Sequence, residues 1–172
     1  MGTAPTTPYP PDLSDDTEPV TRLSDLVDAV VTQADWANAA VRGVLLRRVE
    51  IHDSRMTGAD LAEADIGDAL FTGCRIDVAG LRMATLQRVV FRDCEMAECD
   101  LYQASLSDVL FERCTLSGAT LTGASLMRVE LRGCRLDGLV GAESLRGARM
   151  PWADVVENGP VFAAAIGIEV VD

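Results

Sequence analysis

Cys74, Cys94, Cys114 and Cys134 stand twenty residues apart in one register, the most conspicuous chemical pattern in this chain of 172 residues. Stacked thiols have two chemical uses: cross-links, if their Cα atoms come within about 7 Å, or a soft-metal site. The same position in neighbouring repeats is filled by Ala, Val or Ser54, which share no ligand chemistry. The four thiols are therefore expected to be reduced and packed in the core as small hydrophobes. Cys99 takes an equivalent place one side over, and no CxxC or Cys/His pairing occurs. Phe71, Phe91 and Phe111 repeat at the same interval and read as a stacked aromatic ladder in the core. The single histidine, His52, falls at an outward position beside Asp53, where a solvated residue is expected rather than a base. There is no Gly-rich phosphate loop, nucleophile elbow or metal-spaced cluster, and a general acid–base pair needs a cleft with two unequal environments. The expectation is a protein with no catalytic residue, no cofactor and no metal.

What positions these columns is a period of five. From Trp36 through Val41, Leu46 and Ile51 to Leu131 and Leu136, twenty-one consecutive positions five residues apart hold a large apolar residue. Two positions before each lies a small or β-branched one, such as Ala59, Ala79, Val89 or Ala104. Neither a helix of 3.6 residues per turn nor a strand of period 2 gives this pattern. A backbone that turns a corner every five residues does, with two side chains of each five inside. The twenty-residue columns then set four corners per coil. Outside, Arg48, Asp68, Arg88, Asp108 and Arg128 alternate in sign at the same step. In coils stacked about 4.8 Å apart such a column is a ladder of opposite charges. The body is expected to be a square β-solenoid of five to six coils, roughly 25–30 Å long.

Units such as ADLAE (59–63), ATLTG (119–123) and ASLMR (124–128) resemble the A-(D/N)-L-x-x unit of the pentapeptide repeat family. The resemblance covers about residues 34–138 and implies an all-β chain folded as a right-handed quadrilateral β-helix. Many units depart from the family pattern at the second position, where Gly, Arg or Val stands for Asp or Asn.

Punctuation divides the chain further. Five of the seven prolines fall in the first nineteen residues among Thr, Ser and Asp, so residues 1–20 are expected to be a disordered tail. Residues 21–33 form an N-terminal capping segment. Leu23, Leu26, Val27, Val30 and Val31 have helical spacing after Thr21, yet Leu26 and Val31 also fit the five-residue phase, so helix and early coil both stand. The solenoid occupies 34–150, with DGLVGAESLRG (137–147) read as an insertion that breaks its phase. Residues 151–172 form a helical cap: PWADVVENG is one short helix with Pro at its start, PVFAAAIG a second ended by Gly167, and IEVVD has the composition of a closing strand.

Charge bounds the partners. The formal net charge is −12 and Arg supplies all fifteen cations, in keeping with a GC-rich bacterial genome. Such a balance argues against direct contact with nucleic acid or an anionic membrane. No apolar run reaches the ~18 residues of a membrane span, and the first residues lack a signal-peptide pattern, so a cytoplasmic protein with reduced thiols is expected. Three protein-contact candidates emerge. Leu70, Val90 and Leu110 form an outward apolar strip beside the Phe ladder. Asp60, Glu63, Asp65 and Asp68 form a local acidic cluster. Val161, Phe162, Ile166 and Ile168 carry more apolar surface than one cap needs, so this end either joins a homodimer or simply closes the coil.

A non-catalytic interaction scaffold with an unidentified protein partner is the first reading of function. The family resemblance implies an alternative. Some members imitate duplex DNA, bind DNA gyrase or related topoisomerases, and protect them from quinolones or self-made inhibitors, often as dimers joined through C-terminal helices. The charges place that reading second. The net charge is −6 over residues 1–40, −3 over 41–140 and −3 over 141–172, and no side of the square presents a run of acids like phosphates. The inward and outward assignments also predict that Cys94→Asp is severe and Asp108→Ala mild.

Overall fold

The computed structural model describes residues 4–12 and 23–171. Five parallel strands stack as successive coils: β1 (Leu26–Thr32), β2 (Leu45–His52), β3 (Asp65–Thr72), β4 (Thr85–Arg92) and β5 (Ser105–Glu112). The next coil is broken into β6 (Ser125–Met127) and β7 (Glu130–Arg132), both paired with β5. Every pairing between these strands joins residues twenty apart, for example Leu46↔Ile66 and Phe71↔Phe91. Isolated parallel bridges such as Asp35↔Arg55 and Ala40↔Asp60 carry the same register around the other sides. This is the quadrilateral β-helix that the five-residue period requires.

The corners explain the period physically. From Asp28 to Gly138 every fifth residue has a left-handed φ between 47° and 72°. Only seven of these corner residues are glycine, so most carry the roughly 1–2 kcal/mol that an L side chain costs there. The stacking offsets it, because corners such as Asn38, Gly58, Val78 and Glu98 are pinned by backbone hydrogen bonds to the coil above, as Asn38 N–H is to the Thr57 carbonyl. Leu46, Ile66, Leu86 and Leu106 are fully buried at the side centres. The Phe71, Phe91 and Phe111 rings stack at 4.9 and 5.2 Å between centroids, nearly parallel.

One open alternative is decided and two expectations change. Of helix and early coil, residues 26–32 are early coil, a strand paired in register with β2, so the first coil starts before residue 34. Thr21 lies outside the described residues. The segment 137–147 shortens its coil rather than lengthening it. Thr120↔Val140 keeps the twenty-residue step, but the next bridge, Glu130↔Arg149, spans nineteen, with a 3-10 turn at Ala142–Leu145 between them. Finally, Ile168–Val171 form no strand. The chain ends in two short helices, α1 (Trp152–Glu157) and α2 (Gly159–Ala165).

Residues 4–12, expected to belong to a disordered tail, instead lie along the outside of the solenoid. The Thr6, Tyr9 and Asp12 amides donate to Asp108, Asp68 and Asp28. Residues 1–3 and 13–20 of that tail lie outside the described residues.

Candidate interaction surfaces

The cysteine column is core. All five cysteines are free and buried, and each thiol points at a main-chain carbonyl of the coil before it, Cys94 Sγ at Phe71 O (3.5 Å) and Cys99 Sγ at Ile76 O (2.8 Å). Burial pushes the Cys99 thiol up to about 12. Thiolate chemistry needs the opposite, an exposed sulfur with a lowered pKa. Intact mass spectrometry after treatment with a thiol reagent is accordingly expected to find no modified cysteine in the folded protein and five in the denatured one. Modification of the native fold would overturn the inward assignment.

The outward charge column is an ion-pair ladder, and it begins one coil earlier than its sequence pattern suggested. Arg48, Arg88 and Arg128 each reach back one coil to grip Asp28, Asp68 and Asp108 with two nitrogens, at 2.5–2.7 Å. Two-pronged pairs of this geometry are the strong class of charge-assisted hydrogen bond. Asp68 and Asp108 were expected to be exposed, but they are only 8% and 5% exposed. The guanidinium covers one face of each carboxylate, and the N-terminal segment adds an amide to it.

The Arg48 guanidinium, followed by the Asp12 amide, lowers the Asp28 carboxyl to about 2. The Arg88 and Arg128 guanidinia likewise hold Asp68 and Asp108 below the usual carboxylate range. For an acid whose folded pKa is depressed, the stabilisation is complete above its unfolded value of about 3.9 and is lost as the pH falls through the folded value. Thermal melts are thus expected to show a nearly constant midpoint from neutrality to about pH 5 and a steep fall between pH 4 and 2. A fall centred near pH 6 would mean that the ladder does not control acid stability.

The remaining acids do not join into one surface. Glu63 and Asp60 both lie beside the Arg42 guanidinium, at 2.8 and 3.7 Å. Asp65 is gripped by Arg47 at 2.7 Å. Arg92 holds Glu112 and Arg113 holds Asp93 across coils. The four acids of the cluster Asp60, Glu63, Asp65 and Asp68 are therefore paired locally with three separate arginines, Arg42, Arg47 and Arg88.

Leu70, Val90 and Leu110 do stack in register, but the strip is not bare. Pro8, Tyr9 and Pro10 line a shallow cleft with Leu70 and Val90, and Val90 is buried. Asp68, singled out as part of the acidic cluster, thus borders the apolar strip as well.

At the C-terminal end the structure divides the four apolar candidates. Val161 and Phe162 pack against the core as a cap, whereas Ile166 and Ile168 stay exposed. Trp152, Val156 and Val170 are exposed as well. One residue that the sequence pattern does not mark closes the coil. Asn158 is buried between α1 and α2. Its Oδ1 accepts the Leu136 N–H at 3.0 Å, and its Nδ2 donates to the Cys134 carbonyl at 3.1 Å. One coil below, the backbone of Arg135 makes both bonds, its carbonyl accepting from Leu116 N–H and its N–H donating to the Cys114 carbonyl. The Asn158 side-chain amide thus stands in for the backbone N–H and carbonyl of a residue in a coil that does not exist.

Among the described residues no helix is long and apolar enough to cross a membrane, and no group of three or more His, Cys, Asp or Glu is arranged to hold a metal ion.

Comparison with known proteins accords with this geometry. The sequence pattern described as "Pentapeptide repeats (8 copies)" matches residues 24–61, and that described as "Pentapeptide repeat region" matches residues 53–121. No curated protein matches the chain. Similar solved structures include HetL, a pentapeptide repeat protein involved in heterocyst differentiation regulation from the cyanobacterium Nostoc sp. strain PCC 7120. It is 24% identical, with 76% of this chain and 68% of that one covered and a TM-score of 0.46. Trypsin-treated QnrB1, a plasmid-mediated fluoroquinolone resistance protein, is 15% identical, with 84% and 100% covered and a TM-score of 0.46. Rfr23 from the cyanobacterium Cyanothece 51142 is 16% identical, with 70% and 87% covered and a TM-score of 0.29. With its five-residue corners, twenty-residue register and these two overlapping matches, which together span residues 24–121, the chain belongs to the pentapeptide repeat family.

Proposed function

We propose that the protein is a non-catalytic interaction scaffold that meets a protein partner at the C-terminal end of its solenoid. The observation that carries this reading is the exposure of Trp152 and Val156 on α1 and of Ile166 and Ile168 just past the end of α2, while Val161 and Phe162 already pack on the last coil. A cap alone needs only the inner residues. Several large apolar side chains exposed at one end of a domain mark a contact surface, and the simplest occupant is a second copy of this chain in a two-fold pair.

Sedimentation of the wild type beside the double variant Val156→Asp, Ile166→Asp tests this directly. Both side chains are exposed, so the variant is expected to keep its melting midpoint while losing self-association and any partner captured by the wild type. Equal behaviour of the two proteins would remove the end as a contact surface.

Topoisomerase regulation by DNA mimicry finds no support in the outer columns, where the acids are interleaved with arginines and gripped by them. A gyrase supercoiling assay is expected to be unchanged by the protein, with or without a quinolone.

A further inference from the structure

The N-terminal segment matches the ladder beneath it in length as well as in charge. Pro5, Pro8, Pro10 and Pro11 each fix φ at about −65°. The residues before them, Ala4, Thr7, Tyr9 and Pro10, are confined to extended or polyproline II backbone. Residues 4–11 are thus almost wholly committed to one conformation before they touch anything.

Polyproline II advances about 3.1 Å per residue, so equivalent positions recur every three residues, or about 9.3 Å. Aspartates of the ladder recur in alternate coils, about 9.6 Å apart at a coil spacing of about 4.8 Å. The hydrogen bonds follow this match. Thr6 donates to Asp108 Oδ1 (3.3 Å), Tyr9 to Asp68 Oδ1 (3.3 Å) and Asp12 to Asp28 Oδ1 (3.0 Å). Each step of three residues along the segment is a step of forty down the solenoid. Over the six residues from Thr6 to Asp12 the two repeats drift apart by only about 0.6 Å.

The sequence keeps proline away from the donor positions. Between residues 5 and 12 the only amides are those of Thr6, Thr7, Tyr9 and Asp12, and among the described residues Thr7 alone has no acceptor. The Tyr9 ring also lies over the Arg88 guanidinium, 5.8 Å from it.

We propose that the corner carrying Asp28, Asp68 and Asp108 is a docking track for a polyproline II segment, occupied in cis by residues 6–12 of the same chain. The occupied track closes the Leu70 and Val90 strip to other chains. It recognises a rigid segment that offers an amide at every third residue, and alternation of Asp with Arg is what sets the spacing at two coils. Because the segment is tethered, its effective concentration at the track is on the order of millimolar, so a free peptide at micromolar concentration finds no vacant track. This face is separate from the C-terminal end, and its test does not depend on what binds there.

Backbone NMR on the full-length protein reads the proposal. The Thr6, Tyr9 and Asp12 amides are expected to exchange at least about tenfold more slowly than Thr7, each corrected for its intrinsic rate, with order parameters near the ~0.85 of rigid backbone. Thr6→Pro keeps the polyproline II conformation and removes one donated N–H. It is expected to drop Tyr9 and Asp12 toward the range of flexible chain, whereas Thr7→Pro leaves them rigid. A synthetic peptide of residues 4–12 is expected to shift the Asp68 and Val90 resonances of the Thr6→Pro protein but not those of the wild type. Equal exchange at Thr6 and Thr7, loss of order in both proline variants, or equal peptide binding to wild type and Thr6→Pro would each overturn the proposal.

Discussion

Cys94→Asp is expected to abolish the fold at ordinary temperatures, at a cost of more than about 4 kcal/mol. Cys94 is 1% exposed, with Cys74 and Cys114 at the same position of the coils on either side. The polar atoms facing its sulfur are the carbonyl oxygens of Phe71 and Arg92. A carboxylate there meets these two acceptors, with the Cys74 N–H as the one amide facing it, as the Ala34 N–H faces the Ser54 hydroxyl at the equivalent position. The side chain either stays charged with no cation beside it or takes up a proton, and both costs fall on the folded state. Cys94→Ala separates chemistry from volume, since it removes only the sulfur and is expected to cost about 1 kcal/mol. Asp108→Ala belongs between them. Read as an exposed ladder residue it was expected to be mild, but its burial and its two-pronged bond to Arg128 raise the expected loss to about 1–2 kcal/mol. Circular dichroism melts of the three variants check the order, and a Cys94→Asp protein that melts within a few degrees of Cys94→Ala would show that the column is not in the interior.

The error over Asp108 shows where sequence reading stops in this fold. A strict period assigns every position to inside or outside, and Leu46, Phe91, Cys94 and Leu116 are all where that assignment puts them. Burial of an outward residue depends on what else lies on it. For Asp68 and Asp108 the cover is an arginine from the next coil, which the alternating charges predicted, and an N-terminal segment, which they did not. Pro5, Pro8 and Pro11 already carry the three-residue spacing. Its meaning emerges only against the separation of alternate coils, a length that no local pattern states. Composition alone reads the same residues as a disordered tail. Residues 26–32 failed to resolve for a different reason. Over a segment this short, apolar spacings of three, four and five residues coincide, and only pairing with β2 decides between them. The apparent insertion at 137–147 is a related case. A phase change is visible in the sequence, but its sign depends on which residues turn the corner, and the tight turn at Ala142–Leu145 removes a residue from the coil.

Asn158→Ala is the second large effect, and its cause lies at the end of the repeat rather than within it. A β-solenoid that stops leaves an edge of unpaired N–H and carbonyl groups, which either finds partners or recruits another chain. Two of those groups, the Leu136 N–H and the Cys134 carbonyl, are satisfied by the single side-chain amide of Asn158, which is itself 4% exposed. Its Nδ2 also donates to the Asp154 carbonyl, tying the cap to the last turn of α1. Alanine would leave both backbone groups buried and unpaired, at about 1–3 kcal/mol each, so a loss of about 2–5 kcal/mol is expected, together with fraying of α1 and α2. Asn158→Asp distinguishes the two bonds. Its carboxylate can still accept from Leu136 but sets an oxygen against the Cys134 carbonyl, and protonation would restore a donor. The folded state therefore raises the pKa of the new acid, and the deficit of this variant relative to wild type is expected to shrink as the pH falls from 7 to 5. A deficit that does not change over that interval would mean that Asn158 acts through its helix contacts and not as a substitute for the missing coil.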